Sequence, residues 1–386
     1  MKQKLRMPFY MCVVMLAVFG LTVQAFAQSL KDIYTSGKAR FVAEITIEES
    51  KLPEGELFEN IVDIAVDEEG NIYLCDIQAN NIKKFSPEGK FVKIIGRKGQ
   101  GPGEFITPSH IVVSGKRLFV YEIGNRRLCS LTTGGEYINN IPIQFSEGLP
   151  LHIRALPGGD IVIEKEVNYY REKDKPQDCF IQIFSPELEL KKNLFTHPVM
   201  KNKFREIKGI FANIVQPFAP EVYWSVGPDG RIVIGLSEDY TIGFYGAEEG
   251  LFTSFKHAFK PVKVTDEDKE KFFSRMSYTT SEGETGKLPD EIKKLTEFPK
   301  TKPAFMGLFL DYEGNILVNV IRSEKAGAAP ECEAFDPDGN FLGVVEMDGL
   351  KDFPRRFVLE KDSLWILVWE EDGSVRAVKY RIAPGK

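Results

Sequence analysis

The chain has 386 residues, of which 43% are hydrophobic and 27% charged, and its formal net charge is −6 at pH 7. This composition is typical of a folded globular protein with a large buried core. The acidic balance argues against nucleic acid as the main partner, because binding to phosphates requires a concentrated basic surface.

The first 27 residues have the pattern of an export signal. Three basic residues precede an uncharged stretch over residues 8–23, and Ala25 and Ala27 supply the small residues that a signal peptidase reads. The apolar run is shorter than the roughly 20 residues that span a bilayer, which disfavours the alternative of a membrane anchor. We predict a signal peptide over 1–27, a mature domain over 28–386 with formal charge −9, no membrane span, and a location in the periplasm or outside the cell.

A unit of about 45 residues, a turn followed by a short apolar strand, recurs along the rest of the chain. Five copies are clear and a sixth is degenerate. The first residues of their apolar strands are Ile72, Leu118, Ile161, Ile232, Ile316 and Leu364. Repeats of this length built from short strands indicate a radial β architecture, because one unit cannot bury its own faces. We predict an all-β fold, a six-bladed β-propeller in a single domain.

Each unit is predicted to contain four strands. In the first unit they cover residues 61–66, 72–75, 81–86 and 91–95, and the acidic, Gly-containing turn Asp67–Asn71 joins the first two. The last unit has sequence for only three strands. The alternating residues 41–47 are therefore predicted to fill the outer place of the last blade and to close the ring.

Two spacings between units are long, so two insertions are predicted. The longer one, between blades four and five, contains a small helical insertion over about 265–298. Thr265 and Asp268 open its first helix in the manner of a capping box, and Pro289 opens a second short helix. The segment 277–286 between the helices is polar and is expected to be mobile.

The four cysteines beyond the leader do not suggest a disulfide framework. Each lies in a different unit, near or within an apolar strand, and they are Cys75, Cys129, Cys179 and Cys332. We interpret them as small buried side chains. No CxxC or Cys/His spacing typical of a metal site is present.

One repeat position collects polar residues. It lies one place before the inner strand of each blade, and its six occupants are Asp63, His110, His152, Tyr223, Gly307 and Arg356. The residues that close the second strands add Asp76, Glu122 and Glu164. Because these loops share one end of the ring, we expect the side chains to surround a central mouth that binds a small ligand or ion. The alternative is that they only solvate a wet channel.

The first blade and its link to the second carry a set of motifs. They are the turn Asp67–Asn71 with Ile72 and Tyr73, the segment Asn80–Ile82 after Asp76, and the Gly-rich link from Gly96 to Pro108. Through these motifs the stretch 61–111 resembles the NHL-repeat family of six-bladed propellers, and the fold is TolB-like. The likeness weakens in the second blade and is faint later. The helical insertion followed by Asp311–Ile316 is similar to exported bacterial six-bladed propellers without assigned activity.

The resemblance implies a scaffold that binds partners through one end of the ring. It implies no particular chemistry, because this scaffold hosts binders, lactonases and lyases alike.

No cofactor is expected. Zinc at His110 and His152 would lack a third equivalent histidine, since His197 and His257 belong to outer segments. Calcium at Asp63, Asp76 and Glu122 would resemble the gluconolactonase-type propellers, whose other motifs are not matched here.

We therefore expect an exported, non-enzymatic, monomeric protein that binds a protein, peptide or glycan through its loop face. The helical insertion would act as a lid or docking element. Two alternatives stay open. One is a metal-dependent lactonase, esterase or lyase-like enzyme with its site at the central mouth, and the other is a structural module of an envelope complex.

Overall fold

The computed structural model describes most of the chain after the expected leader, and residues 1–27 lie outside the described part. The described residues are 28–143, 148–167, 178–198, 203–207, 210–214, 216–274, 276–279, 285–321, 329–360 and 363–385. In these ranges the strands assemble into four sheets of four strands, one sheet of eight strands and two small hairpins. The fold is accordingly mostly β, with few helices.

The first four blades are separate antiparallel sheets in which the strands follow chain order. Blade one consists of β2 (Ile61–Val66), β3 (Ile72–Asp76), β4 (Asn81–Phe85) and β5 (Phe91–Ile95). Blade two consists of β6 (Pro108–Ser114), β7 (Arg117–Glu122), β8 (Arg127–Thr132) and β9 (Tyr137–Pro142). Blade three consists of β10 (Leu149–Ala155), β11 (Ile161–Val167), β12 (Asp178–Phe184) and β13 (Leu190–Pro198). Blade four consists of β16 (Val222–Val226), β17 (Ile232–Leu236), β18 (Thr241–Gly246) and β19 (Gly250–Lys256).

Blades five and six share the eight-stranded sheet, because the N-terminal strand β1 (Lys38–Ile47) lies between them. Blade five consists of β22 (Phe305–Leu310), β23 (Ile316–Val320), β24 (Glu331–Phe335) and β25 (Phe341–Asp348). Blade six consists of β26 (Phe357–Glu360), β27 (Ser363–Trp369), β28 (Val375–Pro384) and β1. Strand β1 pairs antiparallel with β28 over Ala39–Ile47, and its first residues also pair in parallel with the end of β25.

The first strands of the blades are the inner ones. Strands β2, β6, β10, β16 and β22 contact one another in turn, and β26 contacts β2. The six blades therefore form a ring around a central channel, which is the arrangement of a β-propeller. The hydrophobic core lies between neighbouring blades. Between blades one and two, for example, it contains Tyr73, Phe105, Ile111 and Val120.

Sequence and local geometry agree at the turns between the first two strands of blades one and five. The Asp67 carboxylate accepts hydrogen bonds from the amides of Glu69 and Asn71, and Gly70 has φ +83°. A positive φ favours glycine because a Cβ would be strained there. The same turn recurs at Asp311, whose side chain accepts from the amides of Glu313 and Asn315.

Three short α-helices of the described residues lie outside the blades: α1 (Leu30–Thr35), α2 (Asp266–Ser274) and α3 (Asp290–Lys293). Between α2 and α3 a hairpin forms from β20 (Ser277–Thr279) and β21 (Thr285–Lys287). A second hairpin, β14 (Lys203–Ile207) with β15 (Ile210–Ile214), precedes blade four. No helix of the described residues is long and apolar enough to traverse a bilayer.

Candidate ligand site at the channel mouth

The polar residues of the repeat position occupy equivalent places in the ring. In blades one to four they lie within the inner strand, so the prediction that they precede it was wrong for these blades. In blades one to four each lies opposite the same place on the second strand, and the pairs are Asp63–Cys75, His110–Tyr121, His152–Glu164 and Tyr223–Gly235. In blades one to three a register shift also precedes the residue. We call the six positions, from Asp63 to Arg356, the channel mouth.

Three neighbouring mouth residues link blades one to three. The rings of His110 and His152 are 6.3 Å apart between centroids, in an edge-to-face arrangement. Asp63 is buried, and its Oδ2 accepts a hydrogen bond of 3.0 Å from the amide of Ile111. Its Oδ1 accepts from the amide of Ile64 at 3.1 Å. Both carboxylate oxygens of Asp63 are therefore used to fix the inner strands of blades one and two.

Cationic groups surround His110. The pKa of His110 is lowered to about 4, mainly by burial; the charge of Asp63 opposes this, and Arg356, His152 and Arg154 act in the same direction as burial. Burial also lowers the pKa of Arg154, where Asp63 again opposes the shift and Arg356 adds to it. Arg154 was not among the predicted site residues. It lies two places after His152 on β10, so the alternation of strand side chains could have identified it.

The mouth positions of blades four and five add no charged side chain to the mouth. The Tyr223 hydroxyl donates to Glu221 at 2.9 Å, and its ring lies 5.7 Å from that of Phe305 in blade five. Tyr223 therefore packs between blades. Gly307 carries no side chain, and a Cβ there would press against the ring of Phe353. The contacts found at the mouth thus involve blades one, two, three and six.

The predicted residues Asp76 and Glu122 are completely buried and have structural partners. Asp76 accepts from three loop amides and forms an ion pair of 2.7 Å with the buried Lys83. Glu122 accepts from the amide of Ile106 and from Asn125, and it pairs with Arg127. These contacts hold the loops of blades one and two in place.

Glu164 does not occupy the place that the repeat alignment predicted. It lies opposite His152, as Cys75 lies opposite Asp63, so it is one residue out of register with Asp76 and Glu122. Because successive residues of a strand point to opposite faces, this shift by one changes its surroundings. The alignment that grouped Glu164 with Asp76 and Glu122 was wrong for this reason.

Glu164 instead organises a cluster of aromatic donors. His152 Nδ1 and Trp224 Nε1 each donate to its Oε2 at 2.8 Å, and His197 Nε2 lies 3.6 Å from its Oε1. Burial by itself raises the pKa of Glu164, but the neighbouring imidazoles and the indole lower it to about 2. Glu164 is therefore ionised at neutral pH, and it orients the half-exposed His152.

A cavity of about 800 Å³ occupies the channel beyond the mouth, and none of the six mouth residues lines it. Its wall includes Ile64, Ile111, Ile153 and Arg154, which follow mouth residues in the chain, and it extends to the turns at the other end of the channel. Its volume is within the ~300–1,000 Å³ that ligand pockets usually have. A cavity large enough for part of a ligand therefore lies next to the mouth, with Arg154 in its wall.

Fold and site together define a β-propeller with an ionisable channel mouth. Residues 53–219 match the family DUF5128, described as a 6-bladed beta-propeller, in agreement with six blades. No curated protein matches the chain. The likeness to NHL repeats remains an interpretation of the motifs.

Solved structures resemble the chain over most of its length. A candidate exported protein of Bacteroides fragilis NCTC 9343 is 12% identical with a TM-score of 0.50, and the alignment covers 90% of this chain and 96% of that one. A member of the DUF4221 family from Bacteroides vulgatus ATCC 8482 is 13% identical with a TM-score of 0.49, over 90% and 99%. Virginiamycin B lyase from Staphylococcus aureus is 14% identical with a TM-score of 0.43, over 88% and 99%. At this identity the Bacteroides fragilis structure shows the shared propeller fold alone.

Proposed function

We propose that this protein is an exported binding protein that takes a carboxylate-bearing segment of a peptide or glycan, free or as part of a larger protein, into its channel mouth. The observation that supports the proposal is the neighbourhood of two guanidinium groups, since that of Arg154 lies 5.8 Å from the ring of Phe357, the residue after Arg356. Arg356 disfavours the charged forms of both His110 and Arg154. An anionic group bound among them would relieve this repulsion, and guanidinium groups bind carboxylates in a bidentate geometry.

The acidic residue of the mouth favours the charged forms of His110 and Arg154, but it supplies only one carboxylate beside two guanidinium groups. Asp63 already accepts one amide hydrogen bond on each oxygen. Arg154 lines the cavity directly behind the mouth, so a ligand that entered the channel would meet its guanidinium. This arrangement favours a chain end or a branch that inserts an acidic group and leaves the rest of the ligand on the loop face.

The proposal has three further parts. Residues 1–27 are removed on export, and the mature protein acts as a monomer in the periplasm or outside the cell. Pairing of β1 with β28 closes the ring. The insertion that contains α2 and α3 acts as a lid or docking element. N-terminal sequencing of the exported protein and light scattering would test the cleavage and the monomeric state.

Binding to charged and neutral forms of the same probe tests the main proposal. The probes are a short oligoglutamate peptide with its oligoglutamine counterpart, and oligogalacturonate with its methyl ester. We expect calorimetry to detect binding of at least one acidic probe and of neither neutral one. Arg356→Gln should weaken that binding about 10- to 100-fold, because a hydrogen bond to a charged group contributes about 1.5–3 kcal/mol.

The neighbouring residue supplies a matched control. Arg355 is exposed, and Arg355→Gln removes the same charge without changing the mouth, so it should bind the acidic probe like the unmodified protein. Equal loss in both variants, equal binding of the neutral probe, or no binding of either acidic probe would contradict the proposal.

A second candidate function is hydrolase- or lyase-type chemistry at the mouth. The observation that favours it is the hydrogen bond between His152 and the ionised Glu164, because an oriented imidazole of this kind can act as a general base. A panel of lactones and esters would test it. Turnover that His152→Gln abolishes while the acidic probe still binds would support an enzyme, and no turnover by folded protein would argue against one.

A further inference from the structure

Three potential metal ligands converge in blade three, on the outer side of Glu164. The Glu164 carboxylate, the Cys179 thiol and the His197 imidazole place one ligand atom each within 4.8 Å of one another. Cys179 on β12 lies directly opposite His197 on β13, and Glu166 on β11 lies opposite Cys179. Because Glu164 and Glu166 are two residues apart, all these side chains lie on the same face of the sheet.

One nitrogen of this cluster lacks a hydrogen bond of normal length. His197 Nε2 is buried and has no hydrogen-bond partner among the described residues. It faces Glu164 Oε1 at 3.6 Å, slightly beyond hydrogen-bonding distance. A buried polar atom without a partner costs free energy, and native structures contain few of them. A cation between the imidazole and the carboxylate would satisfy both.

The surroundings hold the carboxylate in a suitable orientation. His152 and Trp224 both donate to Oε2 of Glu164, so Oε1 is the oxygen turned toward His197. Metal ligands are commonly fixed by such outer hydrogen bonds. The ring of Phe195 lies 6.0 Å from that of His197 and covers the cluster from one side. Cys179 is only 2% exposed.

The local charge also favours a cation. Burial is the main reason that the pKa of the Cys179 thiol is raised, and the charges of Glu164, Glu166 and Asp178 raise it further. Without a cation the thiol is therefore protonated. A divalent ion would reverse the balance, because a coordinated thiol loses its proton and the nearby carboxylates stabilise the ion.

We propose that Glu164, Cys179 and His197 bind a divalent transition-metal ion of the zinc class. Sulfur, nitrogen and oxygen ligands together suit zinc, whereas calcium and magnesium require oxygen ligands alone. Three protein ligands leave a fourth tetrahedral position for water or another small ligand. This proposal does not depend on the proposed function, because Arg154 and Arg356 take no part in it.

Titration with Co²⁺ alone tests the site directly. The purified protein, reduced and treated with a chelator, should bind one equivalent of Co²⁺ and develop the near-ultraviolet charge-transfer band of a cobalt–thiolate bond, which Zn²⁺ should displace. Cys179→Ser should abolish the band. His197→Gln and Glu164→Gln should weaken binding at least about tenfold, by analogy with the 10- to 100-fold effect of changing groups around a metal.

Cysteine and histidine changes elsewhere in the ring serve as controls. Cys129 is a completely buried cysteine of blade two, and His257 follows the outer strand of blade four. Cys129→Ser and His257→Gln should both keep the band. No stoichiometric Co²⁺ binding by folded protein, a band that survives Cys179→Ser, or equal loss in Cys129→Ser would overturn the proposal.

Protection of Cys179 in the unmodified protein tests the site without any substitution, so it does not depend on whether the variants fold. During partial unfolding, Zn²⁺ should slow alkylation of Cys179 several-fold more than that of the other three cysteines, as read by mass spectrometry. Uniform protection, or none, would overturn the proposal. Arg356→Gln should bind Co²⁺ normally, so failure of the metal site and failure of the acidic-ligand proposal are distinguishable.

Discussion

Trp224 Nε1 donates a hydrogen bond of 2.8 Å to Glu164 Oε2 and so joins the inner strand of blade four to the second strand of blade three. Glu164 is 95% buried and ionised, with a pKa of about 2. A buried charge without donors is costly, so this indole contributes to the packing of two blades and to the charge state of the cluster.

Trp224→Phe should therefore destabilise the protein by about 1.5–3 kcal/mol, the usual contribution of a hydrogen bond to a charged group. Urea unfolding followed by far-ultraviolet circular dichroism measures this change. Trp369, which is 43% exposed, provides the control, and Trp369→Phe should change the free energy of unfolding by no more than about 0.5 kcal/mol. Equal effects of the two substitutions would mean that the hydrogen bond contributes nothing.

The ion pair between Lys83 and Asp76 leads to a second prediction. The side chains are 1% and 0% exposed, and their charged atoms are 2.7 Å apart. Lys83→Met would leave the Asp76 carboxylate buried without its cation, which costs about 3–5 kcal/mol. Denaturant unfolding should show this loss.

Lys38 gives the comparison for the buried pair. Lys38 and Glu346 are 3.3 Å apart at the surface, with side chains 36% and 44% exposed. Lys38→Met should cost less than about 1 kcal/mol, because exposed pairs are solvated and screened. If Lys83→Met were as mild as Lys38→Met, Asp76 would have to be satisfied by its three loop amides alone.

The repeat made the blades predictable. In blade one the expected strands 61–66, 72–75, 81–86 and 91–95 differ from the observed ones by at most one residue at an end. Strand propensity and turn chemistry act over a few residues, so a single sequence reveals them. The cysteines were also interpreted correctly, since all four in the described residues are buried and free.

The cluster around Glu164 could not be predicted because it depends on register. Strands β12 and β13 form a hairpin whose pairing begins at Phe184 and Leu190. If the pairing continued from there without bulges, Cys179 would lie opposite Phe195. Two shifts of register in β12 and β13 place it opposite His197 instead. Bulges of this kind have no reliable sequence signal. The hydrogen bond of Trp224 to Glu164 could not be predicted either, because it joins residues of different blades.

The low pKa of His110 predicts a dependence of stability on pH. An unfolded histidine binds a proton near pH 6.5, whereas His110 in the folded protein does so only near pH 4. Between these values the unfolded state binds more protons, so stability falls as the pH is lowered from about 6.5 to 4. The full contribution is on the order of 3 kcal/mol, from about 1.4 kcal/mol per pKa unit.

Comparison with His110→Gln isolates this contribution. The free energy of unfolding of the variant should depend less on pH across this window, and the difference between the two proteins should be constant above about pH 7, where His110 is neutral in both states. Parallel curves through the window would show that His110 titrates normally in the folded protein.

Two glycines with the same backbone conformation separate backbone strain from steric contact with β1. Gly349 has φ +93° and Gly373 has φ +86°, so alanine at either position is strained by about 1–2 kcal/mol. A Cβ at Gly373 would meet nothing within 4 Å, whereas at Gly349 it would clash with the carbonyl oxygen of Phe41 on β1. Gly349→Ala should therefore cost about 1–3 kcal/mol more than Gly373→Ala.

Limited proteolysis shows where that additional cost arises. Strand β1 lies between blades five and six, so its displacement by Gly349→Ala should expose the backbone of residues 38–47 to cleavage before the rest of the ring. Gly373→Ala should leave this segment as resistant as it is in the unmodified protein. Equal stability and equal cleavage in the two variants would mean that β1 adapts to the added methyl group, and that its pairing with β28 tolerates movement at Phe41.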